Sequence, residues 1–437
     1  MKKEHFKQAV LTLLMVSGLM ATNSFATDGY FSLGYGAMSK GMGGVGVSMY
    51  HVSLINGNPA GLAMLGNQYS IGVAVFNPNR QYTITGNPSP PPAFGLASGT
   101  IESDSKFFVI PNLGANWAFG ANDENAFGVA IYGNGGMNTD YPTQTFYDQS
   151  EKTTGVNLAQ LFASFSYSRT FAEKHGLGIS AIVAYQLFEA KGLASFGGFS
   201  RDSTKLSSNG TDNSIGFGIK VGYMGEIAEG LHIGASYQSK MAMGEFSDYA
   251  GLFAEKGGFD IPATWTAGVS YDVSDMLTVA FDVKQILYSG VKSIANPIDP
   301  MALPPAFPDG MGGFIPNPNQ VPLGSDKGSG FGWEDMTVFK IGLEVSPNED
   351  WTFRGGFSHG AQPIPKSEVL FNILAPGVIE DHITLGFSKS MGDSGNQLHF
   401  SFNYALNSKV SGTNPFDPGQ TIDLEMNQID VEVGYTF

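Results

Sequence analysis

Leu277, Val279, Phe281 and Val283 interleave with Thr278, Ala280, Asp282 and Lys284. Only an extended strand separates such residues onto opposite faces, because successive side chains of a strand point to opposite sides. The same period of two runs through Leu398, Phe400, Phe402 and Tyr404 against Gln397, His399, Ser401 and Asn403. It recurs in Ile429, Val431, Val433, Tyr435 and Phe437 against Gln428, Asp430, Glu432, Gly434 and Thr436. One face suits an apolar medium and the other suits water. A soluble sandwich alternates in this way too, but composition points elsewhere. Charged residues are only 14% of the chain and aromatics 12%, which is low in charge for a soluble domain and too polar for a bundle of membrane helices. A strand-built membrane protein satisfies both.

Fourteen alternating segments are expected, near residues 67–83, 104–120, 125–135, 155–172, 175–190, 213–226, 229–243, 262–273, 276–290, 333–346, 349–359, 378–390, 395–409 and 425–437. Tight turns at 122–124, 173–175, 226–230, 274–275, 347–350 and 393–395 are each followed by a longer connection. Short turns at one end and long loops at the other are the pattern of an outer-membrane barrel. The fold class expected is therefore all-β: a 14-stranded antiparallel transmembrane β-barrel, monomeric, with both termini on the periplasmic side. The longest loop, 291–332, holds eight prolines and is expected to be irregular and external.

Residues 1–26 read as a cleaved signal peptide, with Lys2, Lys3 and Lys7 before an apolar run and the small-residue site Ser24-Phe25-Ala26. Residues 27–66 are rich in Gly, Met and Tyr and nearly free of charge. A fourteen-strand ring is too wide for its own side chains to fill, so this segment is the expected hatch, or plug, and residues 67–437 the barrel. The pattern Gly41-Met42-Gly43-Gly44-Val45-Gly46 formally matches a dinucleotide loop, but no strand precedes it and no acidic residue follows at the required distance. Close packing of backbone against the wall accounts for the same glycines.

The chain has no cysteine and carries 23 basic against 39 acidic residues, a formal charge of −16, so a thiol site and nucleic-acid binding are not expected. Its seven histidines show no metal spacing, and no metal, cofactor or enzymatic activity is expected. An outer-membrane hydrolase remains a rival and would need one of His175, His232, His359, His382 or His399 beside a nucleophile. A general polar porin is the second rival.

Asn58-Pro59-Ala60-Gly61 favours a turn just before the first strand, and in that position it carries a resemblance. With GYGAMSKGMGGVGVS before it, and IPNLGANWAF, NLAQLFASFSYS, GASYQSK, IPATWTAGVSY, FGWEDMTVFKIG, WTFRGGFSHGAQPIP and the closing VEVGYTF after it, the chain resembles the FadL/TodX-type outer-membrane transporters of long-chain fatty acids and aromatic hydrocarbons. The resemblance implies a fourteen-strand barrel, a hatch bearing the motif Asn58, Pro59 and Ala60, hydrophobic substrate sites, and lateral exit through a kinked strand. The implied function is passive, hatch-gated transport of hydrophobic small molecules, whether fatty acids, alkanes or aromatics. The implied setting is the bacterial outer membrane, among its lipids and lipopolysaccharide, with barrel-assembly machinery reading the C-terminal aromatic signature.

Alternation places Lys220, Lys240, Lys284, Lys340 and Arg354 on the inner face. Pairing with acids, as of Lys284 with Asp282 or Lys340 with Glu344, competes there with a ligand carboxylate, and Lys240 is the first candidate for the ligand. Phe108, Leu158, Phe162, Phe188, Met224 and Ile286 are candidates for an apolar lining. Phe246, Tyr249, Leu252 and Phe253 form a greasy cluster expected on an outer loop. Gly133, Asn134, Gly135 and Gly136, where strand pairing is weakest, are candidates for the lateral opening, which bulky residues at Gly133 and Gly135 are expected to close.

Overall fold

The computed structural model describes residues 28–49, 57–392 and 395–437. The expected signal peptide, Thr27 at the start of the expected hatch, and Ser394 lie outside them. Among the described residues, fourteen long strands form one antiparallel ring: β1 Gln68–Thr85, β2 Phe108–Phe119, β3 Asn125–Tyr141, β4 Thr154–Phe171, β5 His175–Lys191, β6 Asp212–Ala228, β7 Leu231–Gln238, β8 Thr264–Ser274, β9 Leu277–Ile286, β10 Met336–Asn348, β11 Trp351–Gly360, β12 Asp381–Ser390, β13 Gln397–Asn414 and β14 Asp417–Thr436. Each pairs with its neighbour in sequence, and β14 closes on β1 in a register running from Ser70↔Thr436 to Thr85↔Thr421. Closure gives each of these fourteen strands a partner on both sides, which is what a strand-built membrane protein requires. No described helix is long and apolar enough to cross a membrane.

The two faces separate as the alternation demands. Ile71, Val73 and Val75 on β1, Ile215, Phe217 and Ile219 on β6, and Ile341, Leu343 and Val345 on β10 stand exposed on the outside, where lipid tails would cover them. Ala74, Phe76, Arg80, Ser180, Lys220, Asp282 and Lys340 are buried on the inside. At the short-turn end, Tyr69 stacks on Phe437 at 5.6 Å and lies 6.1 Å from Trp117. The Tyr69 N–H donates to the Phe437 carbonyl at 2.8 Å, so the terminal aromatic residue is built into the closing seam.

Three expectations about strand ends are corrected. Strand β3 does not stop at 135 but runs through the glycine cluster to Tyr141, with a bulge between Gly133 and Gly135. Strand β7 ends at Gln238, because the Ile219 N–H is taken by the Ser239 hydroxyl at 3.1 Å and regular pairing breaks. Residues 410–424, expected as a loop, continue β13 and β14 to a tight turn at Pro415 and Phe416. The 291–332 loop is only partly external. It carries a small hairpin, Ala306–Pro308 with Phe314–Pro316, yet buries Leu303, Leu323 and Phe331.

Residues 28–49 and 57–66 pack against the inner wall. Inside the helix-turn segment from Gly36 to Gly44, Gly41 lies against Gly386, where a Cβ would sit 3.1 Å from that Cα. Gly43 adopts φ 71° with the Phe357 nitrogen 2.9 Å from any Cβ it might carry. Glycine on both surfaces lets the backbones approach, the role read for this run from sequence. Lys40 reaches Asp430 at 3.1 Å and Glu432 at 2.9 Å. Asp28 reaches Lys284 at 2.9 Å and Lys340 at 3.0 Å. Asp430, Glu432, Lys284 and Lys340 of the wall are thus paired with the N-terminal segment rather than with one another. Glu344 pairs instead with Arg354 at 2.7 Å, and Asp282 accepts the Gly46 and Val47 N–H groups.

Candidate functional site

The loop end of the barrel encloses an apolar recess of about 510 Å³ measured to its open mouth. Its walls come from Val156 on β4, Phe188 on β5, the 193–206 loop, Leu252 and Phe253, the 293–331 loop, and Phe371 with Leu374; only Ser293 and Ser329 bring polar side chains. Phe188 anchors it, since alternation turns this β5 residue inward at 1% exposure. Phe253, Tyr249 and Phe246 gather around its ring at 4.6, 4.8 and 5.5 Å. The cluster expected on the exterior is therefore inside: Phe246, Tyr249 and Phe253 are buried, and Tyr249 places its hydroxyl on the Gly210 carbonyl at 2.6 Å. Folding the loop inward removes several aromatic side chains from water, each worth about 1.5–3 kcal/mol when fully buried.

From the recess a chain of rings leads inward. Phe331, in the recess wall, lies 6.5 Å from Trp333; Trp333 lies 5.0 Å from Tyr288 and 6.0 Å from Tyr30; Tyr30 stacks on Phe31 at 5.0 Å. Trp333 is oriented by its indole N–H donating to Asn372 Oδ1 at 2.6 Å. Phe331, Tyr30 and Phe31 escaped the sequence reading because no period marks an inward face in a loop or in the N-terminal segment; Tyr288 and Trp333 fall within the expected strands 276–290 and 333–346, but the strands end at Ile286 and begin at Met336.

The chain of rings ends at a discontinuity in the wall. Pairing between β2 and β3 stops at Asn112↔Tyr132, although β3 continues against β4 to Tyr141↔Thr154. Past Tyr132 the free side of β3 pairs with the N-terminal segment: the Ser32 N–H donates to the Asn134 carbonyl at 2.9 Å and the Gly136 N–H to the Tyr30 carbonyl at 3.1 Å. Loop residue Asp104 meets β3 again, its N–H donating to the Asp140 carbonyl at 2.8 Å. Gly135 has no room for a side chain, since a Cβ would lie 1.8 Å from the Tyr30 oxygen. Asn134 is fixed by the Tyr35 hydroxyl at 2.7 Å and by Gln160 at 3.0 Å.

Asn58 holds the turn before β1. Its Oδ1 accepts the Ala60 N–H at 3.1 Å, and its Nδ2 donates to the Val47 carbonyl at 2.6 Å and the Tyr223 carbonyl at 3.1 Å. Ser168 donates to the Ala60 carbonyl at 2.8 Å, and Pro59 rests on Gly178 of the wall. The motif Asn58, Pro59 and Ala60 is thus a fastening between segment and barrel.

Of the sequence candidates, Phe188, Leu252 and Phe253 come together in the recess. Leu158, Phe162 and Ile286 are fully buried in the same apolar core. Phe108 stands apart, beside Phe76 at 6.4 Å with the Arg80 guanidinium over its ring, and Met224 is buried opposite Gly176 and Gly234. Lys240, beyond the end of β7, has a half-exposed side chain and pairs with Asp260 at 2.8 Å. For the hydrolase reading, His382 meets Ser358 at 3.1 Å and His399 meets Ser388 at 2.7 Å. The second ring nitrogens face the Gln428 amide and the Thr436 hydroxyl, not a carboxylate that would orient a catalytic base.

The barrel resembles solved structures along nearly its whole length. It matches the Pseudomonas putida toluene transporter TodX at 20% identity with a TM-score of 0.64, covering 92% of this chain and 98% of that one. It matches a Pseudomonas aeruginosa FadL homologue at 12% identity and 0.65, covering 94% and 99%, and the Ralstonia pickettii toluene transporter TbuX at 18% and 0.56, covering 92% and 98%. No curated protein sequence matches. The family model for outer membrane protein transport proteins (OMPP1/FadL/TodX) matches residues 14–414, and the chain belongs to that family.

Proposed function

We propose that this protein carries uncharged or weakly polar hydrophobic small molecules across the outer membrane by passive diffusion, taking them up in the apolar recess at the loop end. The recess carries the reading: fourteen residues converge there and only two bring a polar side chain, a lining that gains nothing from water and gains from any apolar guest. The toluene transporters among its structural neighbours agree with aromatic hydrocarbons as one class of guest. From the recess, the rings of Phe331, Trp333, Tyr30 and Phe31 form a route to the place where β3 lacks its β2 partner. Withdrawal of residues 30–32 from β3 opens that place sideways. Such an exit runs downhill, since apolar surface gains roughly 25 cal/mol per Å² on leaving water for hydrocarbon.

The test is uptake of radiolabelled toluene, octane and oleate by cells bearing the wild type or the double variant Leu252→Ser/Phe253→Ser. Heat-modifiable mobility on gels serves as the check of barrel folding. The folded variant should lose most uptake of at least one of the three. Unchanged uptake of all three would remove the recess from the pathway, and large steady ohmic conductance steps from the wild type would identify a polar porin instead.

A further inference from the structure

The 291–332 loop between β9 and β10 has a buried stem and an exposed tip. In the stem, Leu303 and Leu323 are buried, and the Leu323 N–H donates to the Phe199 carbonyl at 2.9 Å. Asn317 closes the stem: its side-chain amide donates to the Met301 and Pro304 carbonyls at 2.9 Å each, and its backbone N–H to the Pro305 carbonyl at 2.8 Å. The recess takes Ser293, Leu323, Ser329, Gly330 and Phe331 from this loop, so the hairpin above the stem stands outside it. At the tip Met311 is 90% exposed, Phe314 71% and Ile315 59%. Single apolar side chains on a surface are ordinary, but three within five residues make a patch that marks an interaction. Apolar residues exposed on the wall, such as Ile71 and Phe217, have lipid to cover them; a hairpin at the loop end has none.

Charge, edges and continuity with the recess narrow what covers it. Between Asp299 and Asp326 the one charged residue is Asp309, and its Oδ1 accepts the Met311 and Gly313 N–H groups at 2.8 Å each. The carboxylate is thus satisfied within the turn, and the tip offers no field to steer a charged partner. The paired strands Ala306–Pro308 and Phe314–Pro316 are three residues each, and each contains a proline, which has no N–H to give. A protein that binds by adding a strand, a second copy of this chain included, meets short edges that lack donors. The occupant that suits the tip is one held by apolar contact alone, with no shape of its own to match: a liquid hydrocarbon surface. The same loop then runs from the tip to Leu323 and Phe331 in the recess wall. We propose, resting on uptake through the recess as argued above, that the tip dips into the surface of hydrocarbon droplets and holds the recess against the phase that stores its substrate.

The experiment mixes the full mature chain in lipid nanodiscs with hexadecane droplets, centrifuges, and measures the protein that floats. Wild type should float at least about tenfold more than Met311→Ser/Phe314→Ser/Ile315→Ser, with heat-modifiable mobility showing that the variant is folded. Equal flotation of the two overturns the proposal. Because the chain has no cysteine, Met311→Cys carries a single environment-sensitive dye. Its emission in nanodiscs should be that of the dye in water and should shift to the blue when droplets are added. Emission already blue in nanodiscs alone puts the tip in its own bilayer and overturns the proposal. Uptake of dissolved toluene should be the same in the triple variant and wild type, since none of the three residues lines the recess; its loss in the folded variant assigns the tip to transport itself and overturns docking. The two readings fail separately: a wrong recess leaves flotation intact while Leu252→Ser/Phe253→Ser keeps its uptake, and a wrong tip abolishes the difference in flotation while dissolved toluene still enters through the recess.

Discussion

Gly135 is where the wall and the N-terminal segment meet most closely, and Gly135→Ala is the smallest change that separates them. An added Cβ lies 1.8 Å from the Tyr30 oxygen, 2.9 Å from the Tyr30 carbonyl carbon and 3.3 Å from the Phe31 Cα. All three are backbone atoms, so no rotamer relieves the contact. Carbon needs about 3.5 Å or more from such neighbours, so the segment must move by roughly 1.5 Å, and that breaks its two bonds to β3, from Ser32 to Asn134 and from Gly136 to Tyr30. At about 0.5–1.5 kcal/mol each, the two bonds are worth about 1–3 kcal/mol together, which shifts the seated-to-withdrawn equilibrium about 5- to 150-fold. The prediction is therefore that a side chain at this glycine frees the cover, the opposite of the closure expected from sequence. The assay is toluene permeation into proteoliposomes alongside single-channel conductance, with Gly198→Ala, whose Cβ meets nothing within 4 Å, as the control. Permeation should rise by at least about fivefold in Gly135→Ala and stay constant in the control. A folded Gly135→Ala barrel whose permeation is within twofold of wild type, or lower, would refute the reasoning.

Lys40→Met leaves Asp430 and Glu432 buried without their cation, a loss of about 3–5 kcal/mol for a broken buried pair; the midpoint of unfolding in urea should fall, and an unchanged midpoint contradicts the anchor. Burial raises the pKa of the Asp28 carboxyl, but Lys284 and Lys340 beside it lower it by more, and the net result lies below the ordinary value. A depressed carboxylate gives its full stabilisation above its unfolded value, about 3.9, and loses it as pH falls through the folded value. Spontaneous channel opening should therefore be flat from pH 7 to about 5 and climb only below about 4, and a rise already at pH 6 assigns the effect to another group. A protease site inserted at Met311, which is 90% exposed at the tip of the 306–316 hairpin, should be cut on intact cells, whereas one in the 349–350 turn should be cut only after the outer membrane is breached.

The membrane-facing half of the fold was legible because lipid outside and polar groups inside impose one period on every strand; Ile71, Val73 and Val75 announce β1 without any tertiary information. Where the pattern inverts, reading failed. At the loop end of β13 and β14, the outward residues are Asn407, Lys409, Asp423 and Glu425, joined by bonds such as Lys409 to Asp423 at 2.7 Å. The inward ones are Val410, Ile422, Leu424 and Met426, all buried. These strands have risen out of the membrane, so their polar face meets water, and residues 410–424 lose the signature of a lipid-facing strand. Lys240 was misplaced for a different reason, since only the geometry of the Ser239 hydroxyl shows that alternation ends at Gln238. Phe188 was found because it lies on a strand. Trp333 and Tyr288 were not: they fall within the expected strands 333–346 and 276–290, but those strands begin at Met336 and end at Ile286, so alternation does not tell which way either ring turns. The ionic anchors were illegible too, since Lys40 and Asp430 are 390 residues apart in the chain.

The opposite signs of those two anchors bear on how the molecule is put together. A ring closed around nothing would hold Asp430 next to Glu432 on one side and Lys284 near Lys340 on the other, two like-charged pairs pushing against their own walls. The acid pair belongs to β14, opposite Ala74 and Phe76 of β1, at the seam that closes the ring. That seam is therefore weakened while the lumen is empty and tightens when Lys40 arrives, which penalises barrels sealed without their N-terminal segment. Because one anchor offers a cation and the other an anion, a segment seated half a turn around would meet like charge at both ends. The pair works as a key that admits one orientation.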